Sequence, residues 1–441
     1  MLMTADNLRE LHAQHVLTPW SVQRASDPPM IVRGEGSYLE DADGKRYLDL
    51  SSGLIAVNLG HGYAPVVKAI QDQAARLCYA PPSFGNDARA QLAAELSKIA
   101  PWPDGARSFF TTSGADANED AIKMARMLTN RFKVLTAYRS FHGSTIGASS
   151  LTGENRRWAA EPGIPGIVRF FAPYPYRSPF NTSDPAEETR RALQHVELIL
   201  LHEDPARVAA LMIEPVVGSN GVIVYPPDYL LALRELCGRH GILLIFDEVM
   251  TAFGRVGAAF AAERFDVTPD MITFAKGVTS AYVPLGGVLV RESLASYFDK
   301  NVLWCGHTYA GHPLAVAAGL AALRAYESDG LFSRARQIEA WLRDGLGGLQ
   351  RRHAVIGDVR GVGAMFGVEL VKDGRSKEPL APWHGPPAPL MKELLGNLLE
   401  RGVYAFGRYN ILMIAPPLTI HKSELDAGLD MLGSALAHIA A

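Results

Sequence analysis

The chain alternates short, continuously apolar runs with longer stretches in which apolar residues recur every three or four positions. Between residues 105 and 290, "ARSFFTT" precedes "ADANEDAIKMARML" and "FKVLTAY"; "VAALMIE" then leads to "DYLLALRELCGRH", "GILLIFDEV", "MITFAK" and "GGVLV". Short runs that are apolar on both faces read as strands buried on both sides, and the stretches between them have helical period. The alternation predicts a mostly parallel or mixed sheet covered by helices, an α/β fold. Near residue 312 the texture changes. "HPLAVAAGLAALRAYES" predicts a long Ala-rich helix, then a second helix, then "VIGDVRGVGAMFGVEL", two antiparallel strands around a glycine-rich turn. The expected organisation is an N-terminal segment over 1–60, a large domain over 61–311, and a small α+β domain over 312–441 that also uses the N-terminal segment. "DGRSKEPLAPWHGPPAP" (373–389) reads as a Pro-rich surface loop or lid.

With 441 residues, 48% hydrophobic and 20% charged, the chain has the make-up of a globular protein with a large core. Its net charge of −3, with the two signs interspersed, gives no electrostatic reason to expect a nucleic-acid or membrane partner. The three cysteines, Cys78, Cys237 and Cys305, form no CxxC pair, which points to a reducing compartment rather than a disulfide framework or zinc ribbon. The N-terminus lacks the basic-then-apolar pattern of a secretory signal, and no apolar run is long enough to span a bilayer, so the expected location is cytoplasmic.

Candidate chemistry lies where strands end, because open α/β sheets bind ligands beyond the carboxyl ends of their strands. In "FFTTSGADANEDAIK" a strand runs into Ser113-Gly114-Ala115, the start of a helix. Ser113 there is either an N-cap or, with the free N–H groups around it, part of an anion site. No GxxxxGK[ST] occurs, so a P-loop is excluded. Three further strands end in Glu214, Asp247 and Lys276. Buried charges of this kind need partners. A structural ion-pair network and a catalytic site both satisfy that need, and a snorkelling lysine is the plain alternative for Lys276. No histidine or cysteine spacing suggests a metal site; His307 and His312 have no carboxylate arranged with them.

The motifs "TTSGADANEDAIKMAR", "FHGST", "EPVVG", "FDEVMTAFGR", "FAKGVTSAYVPLGG" and "HTYAGHPLAVAAG" occur in an order and spacing that resemble the class III, fold-type I pyridoxal-phosphate aminotransferases over nearly the whole chain. The resemblance implies pyridoxal 5'-phosphate as cofactor. It makes Lys276 the lysine that joins the cofactor covalently and later moves a proton, and Asp247 the partner of the pyridine nitrogen. It makes Ser113, Gly114 and Ala115 the phosphate cup, and Phe141 and Val249 the two plates around the ring. His142 and Glu214 fall near the cofactor, and Thr308 would reach the phosphate of a neighbouring subunit. A homodimer with shared active sites, or a tetramer built from it, follows. Met250 stands where ornithine- and 4-aminobutyrate-type relatives carry glutamine, so "DEVMTAFGR" is closer to the ω-amino acid and amine:pyruvate branch, with its taurine and β-alanine enzymes. That branch moves an amino group from an amine donor to a 2-keto acid, pyruvate above all. A decarboxylase or aminomutase of the same fold is the alternative, and a non-catalytic α/β ligand-binding protein the remaining one. By the same resemblance Ile55 lines the pocket, Arg408 is the nearest arginine to bind a carboxylate, and His307 at the pocket mouth is a substrate contact or a surface histidine.

Overall fold

The structure, a computed structural model, describes residues 4–25, 27–383 and 388–440. Its centre is a seven-stranded mixed sheet. Across the sheet the order is Ala106–Thr111, Gly286–Arg291, Met271–Phe274, Leu243–Asp247, Val208–Ile213, Lys133–Ala137 and Ile167–Phe170. Gly286–Arg291 runs antiparallel to both neighbours, and the pairings from Met271–Phe274 to Ile167–Phe170 are parallel. Every residue of Val208–Ile213 and Leu243–Asp247 is buried, which is why these segments show no polar alternation. The helix Gly114–Thr129 covers one face. Beyond the sheet, the Ala-rich helix Pro313–Ser328 packs on Ala64–Arg76 and Asp87–Ile99, its small side chains allowing close approach.

Both ends of the chain build the smaller sheets. Ile31–Glu35, Tyr38–Asp41 and Arg46–Asp49 form an antiparallel set, and Val403–Tyr404 joins it in parallel with Arg46–Asp49. The expected antiparallel pair is Ile356–Val362 and Met365–Asp373, turning at Gly363, whose φ of +57° suits glycine. The C-terminal region adds two further strands. It forms a hairpin of Phe406–Arg408 and Ile411–Ile414, which turns at Tyr409 and Asn410 and sets Arg408 at its tip. Of the Pro-rich stretch 373–389, residues 384–387 lie outside the described residues; its earlier part contributes the short strand Glu378–Pro379. Among the described residues no helix is long and apolar enough to cross a membrane.

Candidate active site

The strand Met271–Phe274 delivers Lys276 two residues past its end, at the start of a short 3-10 turn. Its backbone is left-handed, with φ +46°, an unfavourable conformation for a residue with a Cβ that only the surrounding fold maintains. Burial lowers the Lys276 amine from its ordinary 10.5 to about 8. Asp247 and Glu214 pull the other way and Arg156 adds to the lowering. No hydrogen bond or ion pair ties this amine to another described residue. A snorkelling lysine would reach water, and a structural one would sit on a carboxylate. Lys276 instead faces a cavity.

Asp247, the last residue of its strand, is buried and held on that cavity's wall. Its Oδ2 accepts from Asn118 Nδ2 at 2.8 Å and lies 2.7 Å from His142 Nδ1; its Oδ1 accepts the Val249 N–H at 3.1 Å. Asn118 is fixed in turn, donating to the His142 carbonyl and accepting from the Thr273 hydroxyl, each at 2.7 Å. Among the described residues no lysine or arginine reaches Asp247 within ion-pair distance. A buried carboxylate so arranged is suited to a cation that enters from the cavity. Glu214 accepts the backbone N–H of Phe141 at 2.9 Å and of Gly218 at 2.8 Å, so it fixes the backbone that carries Phe141. Burial raises its carboxyl to about 7.

Ser113 caps the helix Gly114–Thr129, accepting the Asp116 N–H at 3.1 Å. At Gly114 a Cβ would come within 2.7 Å of Val249, so only glycine lets the helix start this close to the cavity wall. The cavity is about 490 Å³, a size that holds a small organic cofactor. Ser113, Gly114, Ala115, Phe141, His142, Glu214, Asp247, Val249 and Lys276 all line it, with Thr112, Asn118 and Met250 among the residues that complete the wall. A helix start suited to an anion, a buried carboxylate suited to a cation and a buried amine facing one such cavity fit pyridoxal 5'-phosphate.

The substrate residues expected from sequence land elsewhere. Ile55 is turned away, 2% exposed, in a core cluster that includes Val216 and Met413; its neighbour Ala56 lines the cavity instead. His307 does not line the cavity either; its Nε2 lies 2.5 Å from Asp120 Oδ2. Thr308 is exposed, outside the cavity of its own chain, with its carbonyl accepting from Tyr79 at 3.1 Å. Arg408 donates to Glu154 at 2.6 Å and to Asn155 at 3.1 Å. Sequence reasoning missed Arg156, whose guanidinium lies 3.5 Å from the Phe141 ring centre and also pairs with Glu154. The only sequence signal for it was the cluster of charges in "GENRRW".

The family model for class III aminotransferases matches residues 21–436. The chain is a class III aminotransferase. The ω-aminotransferase of Caulobacter vibrioides is 35% identical, the match covering 93% of this chain and 94% of that protein. The taurine–pyruvate aminotransferase of Bilophila wadsworthia is 32% identical, with 92% of each covered. A solved structure of a taurine:2-oxoglutarate aminotransferase from Bifidobacterium kashiwanohense, in complex with PLP and glutamate, superposes with a TM-score of 0.96 at 41% identity, covering 100% of this chain and 99% of that one. The aminotransferase therefore has the fold-type I architecture, uses pyridoxal 5'-phosphate, and moves an amino group from an amine donor to a keto acid acceptor.

Proposed function

We propose that this aminotransferase takes its amino group from a primary amine or ω-amino acid carrying one acidic group and passes it to pyruvate or a similar 2-keto acid, in two half-reactions at one site. The observation that carries this reading is the pair of guanidinium groups, Arg156 and Arg408, converging on Glu154 beside Phe141. Two cations against one carboxylate leave one positive charge in this cluster, which meets the cavity wall where Arg156 lies over the Phe141 ring, and a guanidinium fork suits a carboxylate or sulfonate. The names of the taurine and ω-amino relatives point the same way.

Pyridoxal 5'-phosphate, when bound, supplies a carbonyl that takes up the amino group and a ring that accepts electrons. Lys276 would hold it covalently and then serve as the base that moves a proton to and from the substrate carbon. Asp247, oriented by Asn118 and His142, would face the ring nitrogen and keep it protonated. Phe141 and Val249 would enclose the ring, and Ser113, Gly114 and Ala115 would hold the phosphate. Thr308 would reach the phosphate held by a second copy of this chain, making a homodimer the working unit. The exposed apolar side chains of Val302, Trp304 and Tyr309 near it are the kind of surface such a contact covers.

Only a neutral amine attacks a carbonyl, so the lowered Lys276 value has a kinetic consequence. Capture of pyridoxal 5'-phosphate by the apo-protein should speed up about tenfold per pH unit below about 8, where the amine is mostly charged, and level off above it. Stopped-flow absorbance across pH reads this directly. A rate still climbing steeply at pH 10 would mean that the amine titrates as an ordinary lysine.

Half-reactions with taurine, β-alanine, 4-aminobutyrate, putrescine and 1-phenylethylamine, followed by a keto acid panel, test the substrate class. Donors with an acidic group should outpace the two without one by about tenfold or more. Equal or faster reaction of 1-phenylethylamine would sink the acidic-group reading. Carbon dioxide release, or product formed without an acceptor, would indicate the decarboxylase or aminomutase instead.

A further inference from the structure

A second cavity, of about 500 Å³, lies between the helix Ile146–Leu151, the 155–160 turn and the edge strand Ile167–Phe170. Ser149, Ser150, Arg157, Glu161, Gly163 and Arg169 line it, and none of them lines the cofactor cavity. Local bonds build its walls. The buried Ser150 Oγ donates to the Ile146 carbonyl at 2.7 Å and accepts the Ile164 N–H at 2.8 Å. Gly163, with φ +74°, passes so close that a Cβ there would come within 2.3 Å of that oxygen. Arg169 is tied through Nη2 to the Ser150 carbonyl, but its Nε is buried with no partner among the described residues. Arg157 gives one N–H to the Glu154 carbonyl at 3.2 Å, and its Nε sits 3.0 Å from Glu161 Oε1, off line for a hydrogen bond. Burial lowers the Arg169 guanidinium, and the charge of Arg157 lowers it further. Two cations therefore repel at one cavity, and Glu161, half-exposed, is the only carboxylate lining it. A buried donor without an acceptor adds to the cost of leaving the cavity to water.

We infer that this cavity binds a phosphate group, held by the forks of Arg157 and Arg169 beside Ser149 and Ser150. A phosphate offers several acceptor oxygens at once, which two guanidinium forks can share. Glu161 is free to turn to water as the anion enters, because half of its side chain is already there. The cavity is larger than inorganic phosphate fills. Among the described residues no aromatic ring lines it, so a nucleobase finds no stacking partner and a small polyol phosphate fits better. The site is separate from the helix start at Ser113–Ala115, yet it shares a wall with the cofactor cavity. Ser149 Oγ donates to the carbonyl of Gly143 at 3.2 Å, and Gly143 lines the cofactor cavity. Binding here is independent of which donor and acceptor the enzyme uses.

Isothermal titration of the holoenzyme, with pyridoxal 5'-phosphate bound, tests the site. The probes are glycerol 3-phosphate and inorganic phosphate, with chloride at equal ionic strength as the control. Glycerol 3-phosphate should bind saturably, with a Kd in the millimolar range or tighter. Arg169→Gln should weaken it about tenfold or more. Glu161→Gln, which removes the only carboxylate, should tighten it by about threefold or more, a gain that a misfolded variant cannot produce. The ester and the free ion carry the same group. A tighter ester assigns the site to a phosphorylated metabolite, equal affinity assigns it to inorganic phosphate, and either result supports it. Heats no larger than those of chloride, an Arg169→Gln variant with the parent affinity, or a Glu161→Gln variant that binds more weakly each overturn the inference.

Discussion

Lys276→Ala should lower turnover by at least about ten-thousandfold while leaving the fold in place. The size of the effect follows from two roles carried by one atom. Among the described residues Lys276 is the only lysine lining the cavity, burial draws its amine down to about 8, and no other described residue holds it. Under the proposed mechanism alanine would remove both the covalent hold on the cofactor and the base that moves the proton. Asp247, Glu214 and His142 remain, but they sit in a network of hydrogen bonds that fixes them in place. The fold should tolerate the change, because a half-buried amine with no partner contributes no bond to lose and the left-handed backbone is relieved no further by alanine. Half-reaction absorbance, borohydride trapping of the cofactor and a thermal melt measure the three consequences. Full turnover by the variant would remove Lys276 from the chemistry, and partial rescue by added small amines would support its role as a base.

Asp247→Asn should cost about a thousandfold in kcat with the cofactor still bound, because the proposed phosphate cup and the proposed Lys276 attachment are left in place. The neutral amide cannot balance a protonated ring nitrogen. It also disturbs the apo-protein. Asn118 Nδ2 and His142 Nδ1 both point at Oδ2 of Asp247, and an amide offers them at best one acceptor oxygen of lower charge. Loss of a charge-assisted buried hydrogen bond lowers stability by about 1–3 kcal/mol. The two consequences separate in experiment. Thermal melts of apo-protein read the packing effect, and single-turnover rates of the loaded enzyme read the electrostatic one. If the rate falls only as far as the melting temperature predicts, Asp247 is a structural carboxylate.

The parts of the site legible in sequence share a physical property: each lies at the end of a strand or the start of a helix. At a strand's carboxyl end the backbone alone aims the next residues at the ligand crevice. Thus Asp247 closes "LLIFD", Lys276 follows "MITF", Glu214 follows "VAALMI", and Ser113 precedes "GADANEDAIK". Apolar runs of this length admit few other arrangements, so the α/β class was readable from the pattern, and the resemblance implied that the strand-end residues share one site. Asn118 was half-legible. Its position four residues inside the helix places it one turn from Gly114, but its bonds to Asp247 and Thr273 join residues 129 and 155 positions away.

The substrate side was decided elsewhere. Resemblance placed Ile55 on the pocket wall, but a left-handed φ of +55° turns it into the core and leaves Ala56 facing the cavity. His307 was assigned to the pocket mouth, and Asp120, on the helix Gly114–Thr129, holds it outside the cavity. Arg408 was named through the resemblance, as the nearest arginine to the expected position. What it does depends on Glu154, which lies 254 positions earlier and meets it only because the 406–414 hairpin brings its tip to the 155–160 turn. The sequence by itself determined the sheet and the residues at the strand ends, because local backbone geometry and apolar patterning specify them, and its motifs implied the cofactor through resemblance. Only the tertiary structure decided how charge is distributed around the substrate, because ion pairing between distant segments depends on where long loops end in space, and no local pattern records that.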